Sequence, residues 1–462
     1  MFVSRLLKKI TALNWAIIVI TLIYGYTASN LGHWKREGRI IVSDVIWHYE
    51  FLPAHFIYGD VTFEHPNENI NKYKTVFYKF DAPIAGKKYI KTSMGLAMLY
   101  APFFGIAHVH ANVTGAEPSG YSPPYKFWLV WGSVIYFLLG MIFISKLLLR
   151  YFSTKAVTLT LICLGLGTNL YYYTILAVGM PHVYVFSLFS IVLFLVDSWY
   201  RNFKPQNILL AAILVSILIL IRPIFILFLP LLLLWNLENT SLISRLNVLK
   251  NHWLQIVISI VAAFLVWVPQ FLYWKTVSGS YVFYPYVGET FFFTDPHIWD
   301  CLFGFRKGWF IYTPIMLFAT IGIVYSLKKY KNLSLVIFIS AFLYFYVCTC
   351  WWVWWFGGSF GWRPMIDIYP LMAFGFAAIF QFLLGKRLWV KWVFSLIGVC
   401  FILLNFAYTR QSHEGNLHHD AMSQDAYFYL FMKFKGQVDH EKLESLYSIP
   451  DYDRALKGDR DQ

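Results

Sequence analysis

The sequence predicts an all-α polytopic membrane protein, and three observations carry that prediction. Apolar residues make up 58% of the chain and charged ones only 13%, about half of the roughly 25% that a soluble domain carries. The apolar residues fall in runs of about 20, the length that crosses a bilayer as a helix. Basic clusters punctuate those runs, at Arg5/Lys8/Lys9, Lys146/Arg150/Lys155, Arg201/Lys204, Arg245/Lys250, Lys328/Lys329/Lys331 and Lys386/Arg387/Lys391. The excess of 38 Lys and Arg over 24 Asp and Glu would raise nucleic acid as a partner on a soluble protein. Here cytoplasmic loops account for it, and no nucleic-acid partner is expected.

The elements follow in order. MFVSRLLKK opens an apolar run with no small-residue cleavage site before Trp34, so the first helix is retained. With every basic cluster on the cytoplasmic side, each interval between clusters holds an even number of crossings. The spans are then 11–28, 125–146, 156–174, 183–200, 206–221, 224–237, 253–273, 309–327, 333–350, 365–384 and 389–408. That makes about 11 transmembrane helices, with the N-terminus cytoplasmic and the C-terminus exoplasmic. The fifth and sixth are divided at Arg222-Pro223, because one continuous helix over 206–237 would put Arg245 and Lys250 on the wrong side. The stretch 94–111 is apolar enough to span, but counting it would invert everything after it. It is expected to lie in the interface or re-enter from outside. The first exoplasmic loop then runs over 29–124, long enough for Lys72, Lys74 and its other basic residues to escape the positive-inside rule. Residues 1–410 form the membrane module. Residues 411–462 turn polar, a small exoplasmic tail with short helices around 422–435 and near 440–447. The five cysteines lie mostly in apolar runs, which argues against a disulfide framework, and no Cys/His spacing marks a metal site.

Nearly every distinctive polar stretch falls on the exoplasmic side. In SDVIWHYEFLP, 43–53, Ile46, Trp47, Phe51 and Leu52 set a short helix flat on the bilayer. Asp44 and His48 stand one turn apart on one face. Asp44 is the candidate catalytic carboxylate, against the blander role of helix capping by Ser43 or Asp44; Glu50 faces solvent. Lys91, leading into Gly95, is placed to hold a phosphate as a point charge, or simply to meet lipid headgroups. Arg306 and Lys307, flanked by Gly304 and Gly308, suit an anion or an interfacial snorkelling pair. Arg222, between two short helices, needs a counter-charge or an aqueous cavity. Arg363 and Asp367 follow WWVWWFGGSFG, and four residues apart they also read as partners of each other. His182 follows Pro181 at a helix start, as a cap or a ligand. Glu289, Asp295 and His297 read as solvated loop residues.

Together, Asp44, Lys91-x-x-x-Gly95 before AMLYAPFF, GYSPPY, MPHVYVF, LIRP, YVFYPY…FGFRKGWFIYTP and WWVWWFGGSFGWRPMIDIYP resemble the GT-C membrane glycosyltransferases. The resemblance covers residues 1 to about 410, and points to bacterial relatives of protein O-mannosyltransferases and lipid A aminoarabinose transferases. It implies a polyprenyl-phosphate sugar donor and a lipid, glycan or protein acceptor. It also implies inverting transfer outside a bacterial inner membrane, with an aspartate base at the position of Asp44. Substrate contacts are then expected from His48, Lys91, His182, Arg222, Arg306, Lys307, Arg363 and Asp367. The chain departs from the family at Asp44-Val45, where many members carry Asp-Glu, and at Lys91-Thr92-Ser93, where they carry a Lys-Tyr-Pro-type motif. The family's second acidic contact is not assignable here, and a divalent metal stays open, with no ligand spacing to support it.

The residues suit that chemistry on their own terms. A polyprenyl phosphate is already a good leaving group, so cations matter more to it than a proton donor. One carboxylate suffices to take a hydroxyl proton, whereas a glycosidase wants two, about 5–10 Å apart. A flippase for lipid-linked sugars is the first alternative, but alternating access would decorate both faces and the midplane. An O-antigen polymerase or ligase would place its largest outer loop late in the chain, and here the largest is the first.

Overall fold

The chain is described by a computed structural model over residues 11–60, 62–63, 79–235 and 241–459. The basic cluster Arg5/Lys8/Lys9 and the loop lysines Lys72 and Lys74 lie outside the described residues. The fold is an all-α membrane bundle. Its described sheet is one two-stranded hairpin, pairing Phe80 with Tyr89 and Asp81 with Lys88.

Among the described residues, eight helical segments are long and apolar enough to cross a membrane: Ala12–Lys35, Gly95–Thr114, Pro123–Leu148, Pro181–Asn202, Trp253–Ser278, Lys331–Thr349, Arg363–Leu384 and Leu388–His413. Four shorter apolar helices join them, Thr154–Leu166, Pro205–Ile221, Pro223–Leu233 and Met316–Ser326. Every expected span therefore has a helical counterpart, but several are too short to cross alone.

The interruptions have local causes. Pro223 lacks an N–H and disfavours helical geometry at the preceding residue. Arg222 accordingly sits extended at φ −141° between a helix that ends at Ile221 and a 3₁₀ turn, Pro223–Phe228. Pro314 does the same to Thr313, which divides the expected 309–327 span into Trp309–Tyr312 and Met316–Ser326.

Pro181–Asn202 and Arg363–Leu384 are the most buried of the long helices, whereas Trp253–Ser278 and Leu388–His413 lie mostly exposed at the periphery. Small residues let the central helices meet backbone to backbone. A Cβ on Gly322 would fall 1.8 Å from the Gly375 carbonyl, and one on Gly375 would fall 1.9 Å from that of Ala319.

Gly95–Thr114, expected as an interfacial segment, is a 20-residue helix. It runs antiparallel to Pro123–Leu148: Tyr136 donates to the Leu99 carbonyl at 3.2 Å, and Trp128 Nε1 to His110 Nδ1 at 3.2 Å. These contacts match residues 99–110 against 128–136, the N-terminal part of the longer helix. Gly95 itself abuts Ile221, where a Cβ would lie 2.8 Å from the backbone nitrogen.

The tail forms short helices at Gln424–Leu430, His440–Ser445 and Tyr452–Leu456. It packs on the loop before Arg363, where the Ser359 N–H donates to the His419 carbonyl at 2.9 Å.

Candidate active site

Asp44 is the first residue of the short helix Asp44–Tyr49. Ser43 before it takes φ +51° and offers no side-chain cap, an unfavourable backbone for a non-glycine residue of the kind that gathers at functional sites. The capping role therefore falls away, and the Asp44 carboxylate turns to a partner from far along the chain. Its Oδ2 accepts from Arg363 at 3.0 Å, while 42% of the Asp44 side chain stays exposed. Burial pushes its pKa up, but Arg363, by charge and hydrogen bond, outweighs that with help from His48 and Arg222. The carboxyl lies below its ordinary value.

The apolar side of this helix and of the turn after it faces the protein. Ile46, Phe51 and Leu52 are buried inside the protein. Glu50 is not solvated either: it is fully buried, with the Tyr121 hydroxyl 2.8 and 2.7 Å from its two oxygens. His48, one turn after Asp44, is buried too. Desolvation lowers its pKa to about 4 against the pull of Asp44, so the ring is neutral at pH 7.

Beneath Asp44 lies a charged cluster at the ends of the central helices. Asp367, fully buried, contacts His182 Nδ1 at 2.8 Å and accepts from the Tyr344 hydroxyl at 3.0 Å. Arg222 Nε lies 2.9 Å from Asp367 Oδ2, an ion pair by distance without the in-line geometry of a hydrogen bond. Arg222 also reaches His182 Nε2 at 3.4 Å. Asp367 thus pairs with Arg222 and His182, not with Arg363 as its spacing allowed. An arginine exposed by a helix break finds here the counter-charge it requires.

Lys91 completes the outer rim. The turn after it is fixed by Thr92, which donates to the Trp47 carbonyl at 2.9 Å, and by the Met94 N–H, which donates to Gln270 Oε1 at 2.8 Å. Its ammonium pairs with Glu289 at 2.6 Å. The second oxygen of Glu289 accepts from Trp352 Nε1 at 2.9 Å. Glu289 is therefore mostly buried and engaged, contrary to its expected solvation. Tyr286 links the two groups: it feels the charges of Arg222, Glu289 and Asp44, and its ring centroid is 6.0 Å from Lys91 Nζ.

Arg306 and Lys307 serve other partners. Arg306 donates to the Asp420 carbonyl at 3.3 Å and covers the Trp355 ring. Lys307, almost fully buried, donates to the carbonyls of Ser359 and His419, and burial lowers its pKa well below that of a free lysine. Both side chains tie the tail to the loop that precedes Arg363.

Three buried nitrogens around Asp44 have no hydrogen-bond partner: His48 Nδ1, Arg222 Nε and Arg363 Nε. Arg222 Nε already faces Asp367. Buried polar groups are nearly always satisfied, so His48 Nδ1 and Arg363 Nε mark a place where a polar ligand would complete the bonding. The donors do not fit a divalent cation, since the one accessible carboxylate is held by a guanidinium with a second guanidinium nearby. Among the described residues, the metal-like grouping is instead His418, His419 and Asp420 in the tail. There His418 Nδ1 already accepts from the backbone N–H groups of Asp420 and Ala421.

No protein-family model and no curated protein matches the sequence. Among solved structures, the chain is similar to the archaeal oligosaccharyltransferase AglB from Archaeoglobus fulgidus, determined in complex with an inhibitory peptide and a dolichol-phosphate. The identity is 13% and the TM-score 0.51, over 94% of this chain and 60% of that longer one. At that identity the likeness is one of fold.

Proposed function

We propose that the protein transfers a sugar from a polyprenyl-phosphate donor to an acceptor hydroxyl at the exoplasmic membrane face, inverting the anomeric carbon, with Asp44 as general base. One observation carries this: one accessible carboxylate is surrounded by two guanidinium groups and a buried imidazole, with His48 Nδ1 and Arg363 Nε left without partners. Arg222 and Arg363 meet the charge that develops on the departing phosphate oxygen. Lys91 binds the phosphate from the rim. Asp367, His182 and Tyr344 hold Arg222 in place from below. Asp44 takes the hydroxyl proton as the acceptor attacks from the face opposite the phosphate. The donor class is supported by the fold shared with AglB, whose structure holds a dolichol-phosphate. The acceptor is a lipid, a glycan or a protein.

The orientation proposed is N-terminus inside a bacterial inner membrane and tail outside, with 11 crossings. Gly95–Thr114 then re-enters from the exoplasmic side.

The test is Asp44→Asn, assayed in membranes with labelled polyprenyl-phosphate sugars. Transfer should fall about 10²–10⁴-fold, the usual contribution of a general base, with abundance and insertion unchanged. Near-normal transfer by this variant would refute the assignment.

A further inference from the structure

Lys91 is proposed above to bind the donor phosphate, yet in this structure its ammonium is already taken by Glu289 at 2.6 Å. Two anions cannot share one ammonium without repulsion, so a phosphate that arrives must displace the carboxylate or do without Lys91. We propose that Glu289 is a resident stand-in for the donor phosphate: it occupies Lys91 while the site is empty, and withdraws with its loop when a polyprenyl phosphate binds. The proposal rests on the phosphate role given to Lys91.

Three carboxylates face the cationic cluster, and they differ in how readily they can yield. Asp367 is fully buried with three partners. Asp44 sits on a helix packed into the core. Glu289 instead ends a loop whose side chains face outward, with Tyr281, Val282, Tyr284 and Val287 more than half exposed. Glycines bracket that loop. Gly279 and Gly288 take φ of +78° and +83°, and around Gly288 nothing lies within 4 Å of where a Cβ would sit. Glycine there lets the backbone turn at little steric cost. Beyond Glu289 the chain is anchored: the Phe292 N–H donates to the Cys350 carbonyl at 2.7 Å, and that of Trp352 to the Thr290 carbonyl at 3.2 Å. Movement is thereby confined to the segment before Thr290. The part of the loop that faces Lys91 is also held by Tyr89, which donates to the Pro285 carbonyl at 3.3 Å, and by Trp352 Nε1, which donates to Glu289 Oε2 at 2.9 Å. Both bonds are given up when the carboxylate withdraws. The aromatic setting of Lys91, 4.7 Å from the Phe80 ring centroid, stays in place when the carboxylate leaves.

A competitor that occupies Lys91 about nine-tenths of the time weakens ligand binding about tenfold. The experiment measures binding of a polyprenyl monophosphate, without acceptor, to the full-length protein in zwitterionic nanodiscs. Glu289→Gln should bind about tenfold tighter than wild type, and Glu289→Asp, which keeps the charge on a shorter arm, should fall between them. Lys91→Met should weaken binding and cancel the gain in the double variant. A purely structural clip predicts the opposite for Glu289→Gln, namely weaker binding with lower thermal stability, and that result overturns the proposal. An equal gain for phosphatidylglycerol also overturns it, by making the exchange a response to any lipid phosphate. An equal gain for inorganic phosphate overturns it likewise, by removing the polyprenyl carrier from the recognition. Lys91→Met binding as tightly as wild type would remove the phosphate role from Lys91, and this inference with it, while leaving the Asp44 assignment to its own assay.

Discussion

Replacing Asp367 by Asn tests whether the buried cluster is held by charge. The carboxylate is completely buried, with His182 at 2.8 Å, Arg222 at 2.9 Å and Tyr344 at 3.0 Å. Removing one partner of a buried ion pair costs about 3–5 kcal/mol, because the other charge stays behind uncompensated. Arg222 keeps 22% of its side chain exposed, so water relieves part of that and the lower end, about 3 kcal/mol, applies. The amide keeps one oxygen for Tyr344 or His182 but must turn its NH₂ toward a donor, which adds about 1 kcal/mol. In a chain this large, each kcal/mol moves the midpoint by about 2 °C or less, so a fall of about 5–8 °C is expected. The assay is thermal unfolding of detergent-solubilised protein at one fixed scan rate. Arg222→Met in the same chain should restore most of the loss, since no buried charge then lacks a partner. If Asp367→Asn unfolds with wild type, or the double variant is less stable than the single one, the cluster is not held by charge and the argument fails.

Two further predictions concern protons. His48 has its pKa lowered to about 4 from an ordinary 6.5, so only the unfolded chain binds its proton in between. Stability present above pH 6.5 is lost as the pH falls toward 4, by about 2 kcal/mol at pH 5. His48→Gln should remove that part of the slope in unfolding midpoints measured from pH 7.5 to 5, and an unchanged slope would clear His48 of any role in it. Arg363 is the main influence holding the Asp44 carboxyl low against burial. In Arg363→Gln, burial wins and the pKa rises, so the acid limb of kcat/KM should move to higher pH, whatever happens to the rate itself. A limb that stays in place would detach either residue from proton transfer.

Local chemistry made much of this fold legible in the sequence. Apolar runs of helical length, Arg222-Pro223 as a break and the one-turn spacing of Asp44 and His48 each appear where the chain alone put them. Pairing across the chain was not legible. Lys91 and Glu289 lie 198 positions apart and His182 and Asp367 185 apart, and no periodicity links such distances. The stretch WWVWWFGGSFG misleads for a related reason. Its tryptophans read as an interfacial belt, yet Trp354 and Trp355 are buried, as is Trp362 just after the stretch, and Trp362 Nε1 donates to the Trp354 carbonyl at 2.8 Å. Composition cannot distinguish a belt from a brace, since both want large rings with one polar edge. The same limit hid Glu289, whose loop looks solvated until Trp352 and Lys91 are folded against it.

The brace explains how Arg363, the first residue of its helix, can hold Asp44. Phe360 is fixed from both sides: its N–H donates to the Tyr173 hydroxyl at 3.0 Å, and its carbonyl accepts from the same hydroxyl at 3.2 Å. Ser359 receives Lys307 on its carbonyl and gives its N–H to His419. Lys307 and the tail therefore act on the guanidinium at one remove, by setting the backbone that leads to it. A cation aimed at a transition-state charge is useful only if it need not reorganise when that charge appears. The burial of Lys307, costly for a lysine, is intelligible on those terms: its donors are spent on two carbonyls that lock the loop, while the exposed face of the site is left to Lys91, the cation whose partner can leave.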